Sequence, residues 1–89
     1  MNETLWRRSD EWIGATVEDA LVMISVERGT YLHLNPTAAA AWDILESPVS
    51  AAMITEYLSS RFAVTPEHCA QSVATMLHRF EECGLIVAS

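Results

Sequence analysis

The chain has 89 residues, half of them apolar, and a formal net charge of −7. That is enough for one small domain with a single core. Twelve acidic residues stand against five Arg and no Lys, so no broad positive face exists for nucleic-acid phosphates. No apolar run approaches the roughly 20 residues of a membrane span. Met1 to Arg8 lack the basic-then-apolar pattern of a signal peptide. A soluble cytoplasmic protein is expected, with neither nucleic acid nor membrane as partner.

Residues 1–11 are polar and charged, and read as a loose lead-in or a frayed edge strand. Trp12 to Val17 is a short candidate strand interrupted by Gly14. Glu18-Asp19 reads as a turn. Ala20 to Val26 is the best strand by composition, apolar enough to be covered on most of both faces. Glu27-Arg28-Gly29 is a short hairpin connection, with Gly29 suited to positive φ. Thr30 to Leu34 completes the hairpin. Leu32 and Leu34 share one face, favoured as core, and Tyr31 and His33 share the other.

Asn35-Pro36 then starts a helix, Asn as N-cap and Pro at the first helical position. This helix runs from Pro36 to about Leu45. Its buried side is either Ala40, Trp42 and Ile44 or Ala41, Ile44 and Leu45. It stops at Glu46-Ser47-Pro48. Ser50 caps a second helix, Ala51 to about Phe62, with Met53, Ile54, Tyr57, Leu58 and Phe62 at helical spacing. Thr65-Pro66 starts a third, ending near Cys83 before Gly84. Its apolar stripe is Cys69, Val73, Met76, Leu77, Phe80 and Cys83. Leu85 to Val87 is a short final strand or an apolar tail.

Strands followed by helices indicate an α+β fold. The expected architecture is an N-terminal three-stranded antiparallel sheet followed by three helices, winged helix-turn-helix-like, in one domain over residues 12–87. Reactive chemistry is not evident. His68 and Cys69 are adjacent on a helix and His78 lies ten residues on, which is no metal-site spacing. Cys69 sits on an apolar stripe rather than beside a base. The three Gly are isolated, so no phosphate loop forms. Cys69 and Cys83, about 21 Å apart along one helix, are beyond disulfide reach. No catalysis, metal or cofactor is expected.

The run Tyr31 to Leu45, Tyr-Leu-His-Leu-Asn-Pro-Thr-Ala-Ala-Ala-Ala-Trp-Asp-Ile-Leu, resembles the PqqD-like family of recognition elements for ribosomally made, modified peptides. Leu34-Asn35, Ala38 to Ala40, Trp42, Leu45, Ile54, Leu58, Phe62, Val73, Leu77 and Gly84-Leu85 fill that family's pattern. The resemblance spans roughly Trp12 to Val87. Ser47-Pro48 stands where the family often has Asp-Gly, and Ser72 where it often has Asp, which leaves the subfamily open.

The resemblance implies a non-catalytic module without a cofactor. A precursor's leader peptide would add as a strand to the edge Thr30, Tyr31, Leu32, His33 and Leu34. Its side chains would sit against the last helix at Ser72, Met76, Arg79 and Cys83, with Cys69 near the entrance. Met76 would give an adaptable wall. Arg79, the only Lys or Arg on that helix, would meet an acidic leader residue. The plainer reading makes Met76, Cys69 and Cys83 core residues. The enzyme partner implied first is the leader-cutting cysteine protease of lasso-peptide maturation; the second is a radical-SAM enzyme, as in quinone cofactor synthesis. From other classes, a DNA-binding winged helix is disfavoured, because the third helix carries one Arg against three Glu. A dimerisation module, pairing its free strand edge with a second copy to make a homodimer, remains as a further reading.

Overall fold

The computed structural model describes residues 4–18 and 20–89. Three strands form an antiparallel meander: β2 (Ile13–Val17), β3 (Ala20–Ser25) and β4 (Thr30–Leu34), in the order β2-β3-β4. The register sets Ile13 opposite Ile24 and Ile24 opposite Tyr31. Directly opposed residues share a face, so Met23, Ser25, Leu32 and Leu34 point one way and Ile13, Val22, Ile24 and Tyr31 the other. The first set meets the core: Met23, Ser25 and Leu34 are buried. The second faces outward, where Ile24 is exposed and only Val22 is buried, so β3 is covered fully on one face and in part on the other. The β3–β4 connection turns through Gly29 at φ +65°, whose N–H donates to the Ser25 carbonyl at 3.0 Å. Glu18 takes φ +59° at the β2–β3 turn; Asp19, its expected companion, lies outside the described residues.

A second sheet departs from the expected architecture. It consists of β5 (Val49–Ser50), β1 (Leu5–Arg8) and β6 (Ile86–Ala88), with β1 in the middle and antiparallel to both neighbours. Residues 5–8 are therefore neither a loose lead-in nor an edge strand. Residues 1–3 lie outside the described residues. The sequence signal was weak because β1, Leu-Trp-Arg-Arg, has only two apolar residues and β5 has only two residues in all. The half-buried Arg8 side chain explains the charge within a paired strand. Its guanidinium lies 4.6 Å from the centre of the Trp42 ring and donates to the Trp42 carbonyl at 2.6 and 3.0 Å. That carbonyl belongs to the last turn of the first helix, where a cation offsets the negative end of the helix.

The helices form where their caps place them. α1 is Pro36–Ile44, and the Asn35 side chain accepts from the Ala38 N–H at 2.8 Å. α2 is Ala51–Phe62, and the Ser50 side chain accepts from the Met53 N–H at 3.2 Å. α3 is Pro66–Glu82, and the Thr65 side chain accepts from the His68 N–H at 3.4 Å. Behind α3, Gly84 at φ +77° permits a paired C-terminal closure: Gly84 N–H to the Glu81 carbonyl at 3.0 Å and Leu85 N–H to the Phe80 carbonyl at 2.8 Å.

The core lies where α1, α2 and α3 meet the inner face of the meander. Ala40, Ala41, Trp42 and Leu45 of the α1 region are all buried. This merges the two expected sides, leaving Ile44 only half-buried. α2 contributes Ile54 and Leu58, whereas Met53 is exposed. α3 contributes Cys69, Val73, Leu77 and Phe80. Gly14 does not interrupt β2, where it pairs with Met23; a Cβ there would stand a tight 3.3 Å from Met23 Sδ.

Replacing Arg8 with Ala removes a cation over a buried ring and two hydrogen bonds to a helix-end carbonyl. The variant should remain folded but lose roughly 1–3 kcal/mol in urea unfolding. An unchanged midpoint would show that β1 is not fastened through this residue.

Candidate functional site: a groove between the free strand edge and the last helix

Among the described residues β4 pairs with β3 on one side only, so alternate residues of β4 present unpaired backbone N–H and C=O groups on the other. α3 runs beside that edge without closing on it. Between them is an open groove of about 790 Å³. Leu32, His33 and Leu34 form the strand wall. The helix wall has two rows at four-residue spacing: Gln71, Thr75, Arg79 and Cys83, then Ser72, Met76 and Phe80. Buried Ala38, Phe80 and Leu85 supply the floor.

Seven of the ten residues singled out in the sequence line this groove: Leu32, His33, Leu34, Ser72, Met76, Arg79 and Cys83. Leu34 is buried, while Leu32, Met76 and Cys83 are half-buried, with one side in the core and one in the groove. His33 belongs by alternation to the outer face but reaches the groove rim because its strand is at the edge. The other three are placed differently. Tyr31 points outward, 5.7 Å from the His33 ring centre, and Thr30 stands with it beside the β3–β4 hairpin. Cys69 is buried in a second, smaller apolar pocket of about 200 Å³ behind Ser72 and Met76, closed by Leu58, Phe62 and Val64. It faces α2, where its thiol lies 3.5 Å from the Thr55 carbonyl.

The groove-lining roles of Gln71 and Thr75, and of Asn35 and Thr37 at the start of α1, were not anticipated. Polar residues on an exposed helix face carry no signal of their own. Their i, i+4 relation to Arg79 and Cys83 is the clue that was available.

Two local devices hold the walls. At one end, the Asn35 cap fixes the turn from β4 into α1. At the other, the Arg28 guanidinium pairs with the Glu11 carboxylate, which also accepts from Ser25 Oγ at 3.3 Å. That hydrogen bond with Glu11 raises the Arg28 pKa above its ordinary value, so its charge is permanent in practice. The guanidinium lies on the α3–β6 turn: a Cβ on Gly84 would fall 2.5 Å from Arg28 Nη2. The hairpin before β4 is thereby held against the end of α3.

The groove is locally positive in an acidic protein. Arg79 is its single charged lining residue, and it makes no ion pair among the described residues. Also among the described residues, no three His, Cys, Asp or Glu gather to hold a metal ion, and no helix is long and apolar enough to cross a membrane.

A three-stranded sheet left open at one edge, beside a long helix, defines an α+β domain with a strand-edge groove. The chain belongs to the PqqD family: the family described as Coenzyme PQQ synthesis protein D (PqqD) matches residues 20–86. No curated protein matches it by sequence. Three solved structures share the fold. TbiB1, in complex with the TbiA(beta) leader peptide, is 20% identical, with 90% of this chain and 93% of that one covered and a TM-score of 0.81. Lasso peptide synthetase B1, complexed with the leader peptide, is 24% identical, with 92% and 96% covered and a TM-score of 0.81. The PqqD truncation of Methylobacterium extorquens PqqCD, described as a stand-alone recognition element for ribosomally synthesised and modified peptides, is 14% identical, with 93% and 88% covered and a TM-score of 0.76.

The two free cysteines differ in access: Cys83 opens on the groove and Cys69 is only 4% exposed. Alkylation followed by mass spectrometry should label Cys83 first and Cys69 only as the protein opens. Equal rates would contradict the burial of Cys69.

Proposed function

We propose that this chain binds the leader segment of a ribosomally synthesised precursor peptide and presents the remainder to a separate modifying enzyme, without catalysing a reaction itself. The observation that carries this reading is the free edge of β4 facing α3 across an open groove. An extended peptide added to that edge satisfies its backbone hydrogen bonds there, whatever its sequence. Specificity then comes from side chains. Leu32, Met76 and Phe80 offer apolar contact, Arg79 pairs with an acidic leader residue, and the 200 Å³ pocket beside Cys69 receives one large apolar side chain. Thr30 and Tyr31 take part through their backbone. Family membership supports the reading, as do the leader peptides bound to two proteins of the same fold.

The favoured enzyme partner is a leader-cleaving protease of lasso-peptide maturation, because one of those fold relatives is a lasso peptide synthetase B1 and both are complexed with leader peptides. A radical-SAM partner is the alternative supported by the PqqD family itself. The shape is read as winged helix-turn-helix-like. The tight Ala63–Thr65 link between α2 and α3 and the adjoining β3–β4 hairpin support that.

The test is an amide NMR titration with the synthetic leader of the precursor encoded beside the gene. Shifts should concentrate at Thr30–Leu34 and along Gln71–Cys83. Arg79→Glu should weaken binding about tenfold, with thermal stability kept. A folded protein with no shifts at saturating leader concentration would sink the reading.

A further inference from the structure

Apart from His33, which stands opposite Val22 and reaches the groove rim, the face of the β2–β3–β4 meander away from the core is not used by the groove. Ile13 is 63% exposed, Tyr31 63%, Val17 56% and Ile24 40%, and Val26 at the hairpin is 81% exposed. The register joins them: Ile13, Ile24 and Tyr31 form one row across three strands, and Val22 lies in the next. No Asp, Glu or Arg stands in these rows. A solvated outer face should alternate polar residues with the buried ones, and a contiguous apolar patch on a small monomer marks a contact surface. The patch is also shaped. A shallow hollow of about 550 Å³ lies among Val22, Ile24, Val26, Gly29 and Tyr31, floored by the buried Val22.

The charges around it identify the occupant. Exposed Glu18 lies at one end of the meander and exposed Glu27 at the other, while Arg28 is occupied by Glu11. A second copy would bring the same acidic ends and another −7 charges to the contact. A partner with an apolar prominence inside a basic rim is complementary in both respects. We infer that this outer face docks the peptide-modifying enzyme, the hollow receiving one of its apolar side chains and Glu18 and Glu27 meeting its basic rim. The inference rests on the leader-binding reading. It adds that enzyme and leader occupy different faces of one sheet, so both can be held together.

The experiment uses the full chain and the purified leader protease encoded beside its gene, with binding followed by calorimetry. Val26→Asp, in an exposed turn, should weaken enzyme binding about tenfold or more. Ile24→Thr should act in the same direction. Both variants should keep the wild-type leader shifts. Glu18→Lys with Glu27→Lys should slow association and reduce its dependence on salt. Wild-type enzyme affinity in the Val26→Asp, Ile24→Thr double variant would overturn the proposal. So would a chain that binds leader but no enzyme. A dimer by light scattering that Val26→Asp dissolves, with enzyme binding unchanged, would give the face to a second copy instead. Loss of the leader shifts in the wild-type protein would count against the leader reading alone.

Discussion

Trp42 is where the two sheets and the helix layer meet. Its ring is buried, Arg8 of β1 covers it at 4.6 Å, and Gly14 of β2 lies beside its Nε1. The Arg8 guanidinium also closes the carbonyl end of α1. A strand from the smaller sheet, a strand from the meander and the first helix are thus joined through one side chain. The groove depends on that joint because α1 supplies its floor at Ala38 and its end at Asn35 and Thr37. A shift of α1 would move β4 with it, since only the Asn35 cap separates them.

An unpaired strand edge is normally a liability, open to pairing with any other chain. Here it is five residues long and backed by a helix that stands off rather than covering it. The formal net charge of −7 opposes association between copies through that edge. Arg79 places a local positive charge inside the groove of a chain that is acidic as a whole. The Glu11–Arg28 pair and the Gly84 turn hold the far end of the groove without lining it.

The helices were the legible part. Asn35-Pro36, Ser50, Thr65-Pro66 and Gly84 act locally, each through a side chain or a φ angle within a few residues, and each is found in the expected role. Of the ten residues that the family resemblance implied for the site, seven line the groove, Leu32, Leu34, Met76 and Arg79 among them. Cys69 does not, and a helix stripe wide enough to meet both α2 and the groove has no mark in sequence that divides it. Arg8 was not legible either: a charged residue in a polar run gives no hint that its stem and fork will be used against a ring 34 positions later.

By itself the sequence determined the helix boundaries, the hairpin before α1 and which residues of α3 share a face, because these follow from contacts within a few residues. Only the tertiary structure decided that β1 sits between β5 and β6; the free edge of β4 and the groove beside α3 were expected through the family resemblance and not from local pattern. Those features depend on pairings between distant segments, residues 5–8 with 49–50 and with 86–88 above all. Such pairings are chosen by the burial and backbone hydrogen bonding of the whole chain, and no local pattern encodes them.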